Sequence, residues 1–101
     1  MDRPAHSTPM EVTIYGRPGC HLCDDALEAL RGLAASTGGF GIREVDIESD
    51  DVLMRRFLEK IPVLEVDGEV VSELESDPAE IRTCLVASGL INPVRDGYAD
   101  K

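Results

Sequence analysis

The sequence predicts one α/β domain: a mixed four-stranded sheet with helices on both faces, in the order β-α-β-α-β-β-α. Three observations carry this. Short β-branched runs alternate with helical periodicity through the first half, which marks a parallel βαβ unit with a right-handed crossover. Asp67-Gly68 stands between two apolar runs and is a strong two-residue hairpin turn. Asp77-Pro78 opens a last helix, with a capping residue followed by proline at the first helical position.

The elements follow in order. Residues 1–9 hold two prolines, a serine and a threonine with little apolar content, and read as a loose tail. The domain spans 10–89. Glu-Val-Thr-Ile-Tyr at 11–15 suits a short strand. Residues 16–19 form a loop. Residues 20–35 have helical spacing: Cys23, Leu27, Leu30 and Ala34 share a face, with Leu22, Ala26 and Leu33 beside it. Asp24, Asp25 and Glu28 lie in the first turns, where the helix dipole favours negative charge. Ser-Thr-Gly-Gly at 36–39 ends the helix.

Ile42, Val45 and Ile47 mark a second strand over 40–47. A short helix follows over 50–58, with Leu53 and Phe57, and Met54 and Leu58, one turn apart. Residues 61–66 form a third strand with Pro62 at its entry, and 69–74 pair back as the fourth. The first strand is expected at the centre of the sheet and the fourth at an edge. In the last helix Glu80 can complete a capping box with Asp77. Ile81, Cys84, Leu85 and Ser88 share its face, and Gly89 ends it. Residues 90–101 read as a second tail, although Leu90 and Ile91 can pack back on the domain.

A chain of 101 residues supports one modest core, here mainly aliphatic because it has no Trp, two Phe and two Tyr. The formal charge of −10 repels nucleic acid and anionic membranes, so neither is expected as a partner. Residues 1–10 lack the apolar run of a signal peptide, and no stretch is long enough to span a bilayer. The sequence therefore reads as a cytoplasmic protein, expected as a monomer. Three cysteines do not make a disulfide scaffold; in a reducing compartment, a Cys-x-x-Cys near a βαβ pattern means redox or metal chemistry.

That chemistry centres on Cys20-His21-Leu22-Cys23. A strand runs into a Pro-Gly turn, which delivers Cys20 to the start of a helix. A thiol there faces unpaired backbone N–H groups and the positive end of the dipole, and both stabilise the reactive thiolate. Cys23 sits one turn in and can reach Cys20.

Cys20-His21-Leu22-Cys23 after a first strand, Val45-Asp46-Ile47, and Ile61-Pro62-Val63 leading to Asp67-Gly68 together resemble the thioredoxin fold. More closely, they resemble the short glutaredoxin-like proteins. The resemblance covers about 11–85 and implies a thiol–disulfide oxidoreductase with no bound cofactor. Its substrate would be a disulfide-containing protein or a small thiol compound. A low-molecular-weight thiol or a reductase protein would donate electrons. The resemblance also implies a cis peptide before Pro62, beside the sulfurs, leaving Ile61 backbone groups free to pair with an extended substrate. Ser76 and Asp77 keep the last part of the pattern that holds glutathione in glutaredoxins. The Gly-Gly pair before it is missing, and Glu73 and Glu75 bring negative charge there, so glutathione is not assigned as the thiol used.

Cys20 is the candidate nucleophile and Cys23 the candidate resolving thiol. Arg17 either guides an anionic thiol or stabilises the thiolate, or is an ordinary loop arginine. His21 is either a thiolate partner and proton relay or a solvent-facing polar residue. Cys84 reads as core packing, and His6 carries no signal. Two other functions remain open. Cys20 and Cys23 can contribute two thiolates to a metal or iron–sulfur site completed by a second chain, since no second pair completes four ligands in this one. The domain can also be a non-catalytic docking module, because fold does not fix function.

Overall fold

The structure, a computed structural model, describes residues 10–37 and 39–91. The tail at 1–9 with His6, and residues 92–101, lie outside the described residues. Strands β1 (Glu11–Gly16), β2 (Gly41–Asp46), β3 (Val63–Val66) and β4 (Glu69–Glu73) form one sheet in the order β2-β1-β3-β4. Strand β1 pairs parallel with β2 and antiparallel with β3, and β3 pairs antiparallel with β4. As expected, β1 is internal and β4 is an edge. Helices α1 (His21–Ser36), α2 (Asp51–Phe57) and α3 (Pro78–Ser88) complete the chain order.

Alternation along β1 and β3 sorts the apolar residues into two clusters. Val12, Ile14, Leu64 and Val66 join Ala26 and Leu30 of α1 and Ile81 and Leu85 of α3 in the larger one. Leu90 and Ile91 are buried in this cluster, so packing continues past the end of α3 as far as residue 91. Val63, with Tyr15 packed against it, points the other way. It joins Ile47, Phe57 and Ile61 in a smaller cluster that also takes in Cys23. The site therefore grows out of the smaller cluster, at the end of the sheet to which β1 delivers the cysteines.

Local chemistry explains where elements end differently from the sequence reading. Strand β2 stops at Asp46, and Ile47–Ser49 forms a 3₁₀ turn. The Asp46 carboxylate accepts the Glu48 N–H at 2.8 Å and its carbonyl accepts the Ser49 hydroxyl at 2.6 Å, a local alternative to the ladder. Asp67 (φ 57°) and Gly68 (φ 85°) both have positive φ, as a tight hairpin turn requires. At α3, Asp77 accepts the Glu80 N–H at 3.3 Å, but Glu80 does not complete the capping box. The Asp77 N–H donates instead to Glu75 at 3.0 Å. Thr37 is the C-cap of α1; its N–H and hydroxyl both donate to the Leu33 carbonyl. Leu22 is exposed because it lies one residue off the buried Cys23, Ala26 and Leu30 stripe. Cys84 is a half-buried free thiol.

Candidate active site

Strand β1 ends at Gly16, and the turn that follows closes with the Cys20 N–H donating to the Arg17 carbonyl at 3.3 Å. Gly19 takes φ 80°, which glycine adopts without the steric cost of a side chain. This turn makes Cys20 the N-cap of α1. Its Sγ accepts the Cys23 N–H at 3.1 Å, and its carbonyl accepts the Asp24 N–H at 3.1 Å. The sulfurs of Cys20 and Cys23 are joined in a disulfide, with their Cα atoms 5.2 Å apart. The two sulfurs are not equivalent. Cys20 is half-buried, whereas Cys23 is 6% exposed and packed with Ile47, Phe57, Ile61 and Val63.

Gly16 contributes to this asymmetry. A Cβ placed on it would lie 3.0 Å from both Cβ and Sγ of Cys23, so only a glycine lets the strand end pass this close to the inner cysteine. The sequence reading missed Gly16. Its only signal was a glycine at a strand end, which ordinarily means a turn. A cleft of about 320 Å³ beside Cys23 is lined by Gly16, Arg17, Pro18, Glu44 and Asp46.

The Ile61-Pro62 segment adjoins the cysteine cluster. Pro62 is fully buried and its peptide bond to Ile61 is cis. Ile61 and Val63 pack in the cluster that holds both cysteines. The Pro62 carbonyl accepts the Leu74 N–H at 2.9 Å, and the Lys60 carbonyl accepts it at 3.0 Å. Among the described residues nothing pairs with the backbone N–H or carbonyl of Ile61. Leu74, in the stretch leading to Ser76 and Asp77, has a left-handed backbone, φ 61°. The chain keeps a glycine-like conformation there but carries a leucine that is 57% exposed.

The remaining sequence candidates divide. Arg17 is committed to Glu48 of the 3₁₀ turn, with Nη2 at 2.7 Å and Nε at 2.9 Å from the same carboxylate oxygen. His21, the first residue of α1, is exposed. Ser76 lines a shallow groove with Asp25 and Glu28 of α1, and Asp77 is the cap of α3. Tyr15 ties the end of β1 to β3: its hydroxyl donates to Glu65 at 2.8 Å and its ring lies 4.8 Å from that of Phe57. Burial, and then the Glu65 hydrogen bond, push its pKa above the usual tyrosine value. Among the described residues, no group of three or more His, Cys, Asp or Glu side chains is placed to hold a metal ion.

A family model for the glutaredoxin-like domain (DUF836) matches residues 11–85. The chain belongs to this glutaredoxin-like family. No curated protein matches it. Among solved structures it is similar to the structural-genomics target protein XcR50 from X. campestris, at 32% identity, with a TM-score of 0.62, over 75% of this chain and 96% of that one. It is similar at 25% identity to protein Ne2328 from Nitrosomonas europaea, with a TM-score of 0.63, over 82% of this chain and 96% of that one. Reduced Escherichia coli glutaredoxin shares its fold, with a TM-score of 0.56 at 23% identity, over 80% of this chain and 98% of that one. The glutaredoxin-like domain therefore has the thioredoxin fold anticipated from its motifs, with a cysteine pair at disulfide distance. No helix among the described residues is long and apolar enough to cross a membrane.

Proposed function

We infer that this glutaredoxin-like domain is a dithiol thiol–disulfide oxidoreductase in which Cys20 attacks and Cys23 resolves. The supporting observation is the capping geometry: Cys20 Sγ accepts the Cys23 N–H at the start of α1, where an anion is stabilised. In the reduced protein the Cys20 thiolate attacks one sulfur of a substrate disulfide. A mixed disulfide forms and one substrate thiolate leaves. Cys23 then loses its proton, attacks Cys20 and releases the second substrate thiolate. The substrate has gained two electrons, and the protein is left with the Cys20–Cys23 disulfide.

The burial difference supports this order, because the outer sulfur meets a substrate first. The unpaired Ile61 backbone beside the pair can hold an extended substrate as an added strand. A low-molecular-weight thiol or a reductase protein returns the electrons, the substrate is a disulfide-containing protein or small disulfide, and the protein works as a cytoplasmic monomer. The test is a redox titration of the Cys20/Cys23 couple against a dithiol–disulfide buffer, read by mass after thiol alkylation. A reversible two-electron transition supports the reading; cysteines that never pair at any accessible potential refute it.

A further inference from the structure

Charge around the cysteines is unevenly distributed. The cation of the active-site turn, Arg17, is neutralised at close range by Glu48. Asp24 and Asp25 follow Cys23 directly on α1, both are exposed, and neither has an ion-pair partner among the described residues. On the other side, Leu74 is hydrogen-bonded to the Pro62 carbonyl and is flanked by Glu73 and Glu75. Glu73 pairs in register with Val63, which packs in the cysteine cluster. The Glu73 carboxylate is thus carried by the segment pinned to the Pro62 loop, whereas the Glu75 carboxylate is turned to the Asp77 N–H. Lys60 and Arg56, whose guanidinium lies 4.7 Å from the centre of the Phe57 ring in the cysteine cluster, are opposing charges, and His21 stands between the cysteines in sequence. With Asp24, Glu44 and Asp46 also lining the cleft beside Cys23, carboxylates outnumber cations around the disulfide, within a chain of net charge −10.

We propose that this site selects its substrate by charge, reducing disulfides flanked by positively charged groups in preference to those flanked by carboxylates. This rests on the oxidoreductase reading above and names the substrate class for it. The chemistry reinforces the field. Attack of a thiolate on a disulfide spreads one negative charge over three sulfurs and ends with a thiolate leaving. An ammonium or guanidinium near the substrate sulfur stabilises both and is drawn in by the flanking carboxylates. A carboxylate in that position is repelled, and the charge of Arg17 is offset by Glu48, which pairs with its guanidinium at the surface.

The experiment uses the full chain, reduced beforehand and freed of reductant, so each reaction is a single turnover. Its probes are cystamine, hydroxyethyl disulfide and dithiodipropionate, which are cationic, neutral and anionic. Each rate constant is divided by that of dithiothreitol with the same disulfide, which removes intrinsic differences in reactivity. The normalised cation-to-anion ratio is expected to reach about tenfold or more at low ionic strength. It is expected to approach one in about 1 M salt, where the screening length is about 3 Å. Glu73→Gln narrows the ratio at low salt. Glu48→Gln releases Arg17 and speeds the anionic probe more than the cationic one. A flat ratio at low salt, with hydroxyethyl disulfide reduced normally, overturns charge selection and leaves the oxidoreductase reading standing. No reaction with any of the three probes overturns both.

Discussion

The Cys23 backbone N–H donates to Cys20 Sγ at 3.1 Å, so the sulfur proposed as nucleophile is also the cap of the helix that carries its partner. On the proposed mechanism, stability and reactivity meet at this atom. Serine is a strong N-cap and alanine is not, and losing a cap costs about 0.5–2 kcal/mol. Under reducing conditions Cys20→Ser should therefore unfold in urea no earlier than the parent, while Cys20→Ala unfolds earlier. Both should be inactive towards disulfides. Equal urea midpoints for the two variants would show that the cap contributes nothing.

Gly16 and Gly32 give opposite expectations for the same substitution. Gly16→Ala places a Cβ 3.0 Å from the Cys23 side chain, and overpacking of this kind costs about 1–3 kcal/mol. It should also slow closure of the disulfide. Gly32 lies within α1, and a Cβ added to it would meet nothing within 4 Å, so Gly32→Ala should stabilise by up to about 1 kcal/mol. Urea midpoints of the two variants check the pair together.

Leu74 holds a left-handed backbone at φ 61° while its side chain is mostly in solvent. Such a conformation costs a non-glycine residue roughly 1–2 kcal/mol. Leu74→Gly removes that cost but adds entropy to the unfolded chain, so a net gain of up to about 1 kcal/mol is expected. Leu74→Val should destabilise, because a β-branched residue tolerates this conformation worse. Thermal midpoints of both variants measure this.

Tyr15 provides a pH dependence. Its pKa is raised by burial and by its hydrogen bond to Glu65. The folded state therefore holds the phenolic proton more tightly than the unfolded chain does. That contribution is fully present below the ordinary tyrosine value of about 10 and is lost as pH rises through the higher folded value. Relative to Tyr15→Phe, the parent should lose stability as pH rises past about 10, with no change in the difference between about pH 6 and pH 8. Urea titrations of both proteins across that range test it.

Much of the architecture was legible because it rests on local chemistry. Asp67-Gly68 supplies two positive φ angles, and Asp77-Pro78 supplies a cap and a fixed φ, so both turns were readable without tertiary information. The Cys-x-x-Cys at a strand–helix junction was readable for the same reason. What escaped depends on residues meeting across the fold. The Arg17–Glu48 pair spans 31 positions, and nothing near Arg17 in sequence reveals it. Gly16 matters through its closeness to Cys23, which requires the path of α1 over the end of β1. Glu75 took the Asp77 N–H expected for Glu80 because it approaches from the chain side of the cap, a choice that the spacing alone leaves open.

The division of roles between Cys20 and Cys23 is tested most directly by trapping. Reduced Cys23→Ser is mixed with a disulfide probe and digested, and the adduct is located by mass spectrometry. The site geometry predicts a stable mixed disulfide on Cys20, with the parent protein under the same conditions ending as the Cys20–Cys23 disulfide. An unmodified Cys20, or an adduct carried on Cys84 instead, would contradict it.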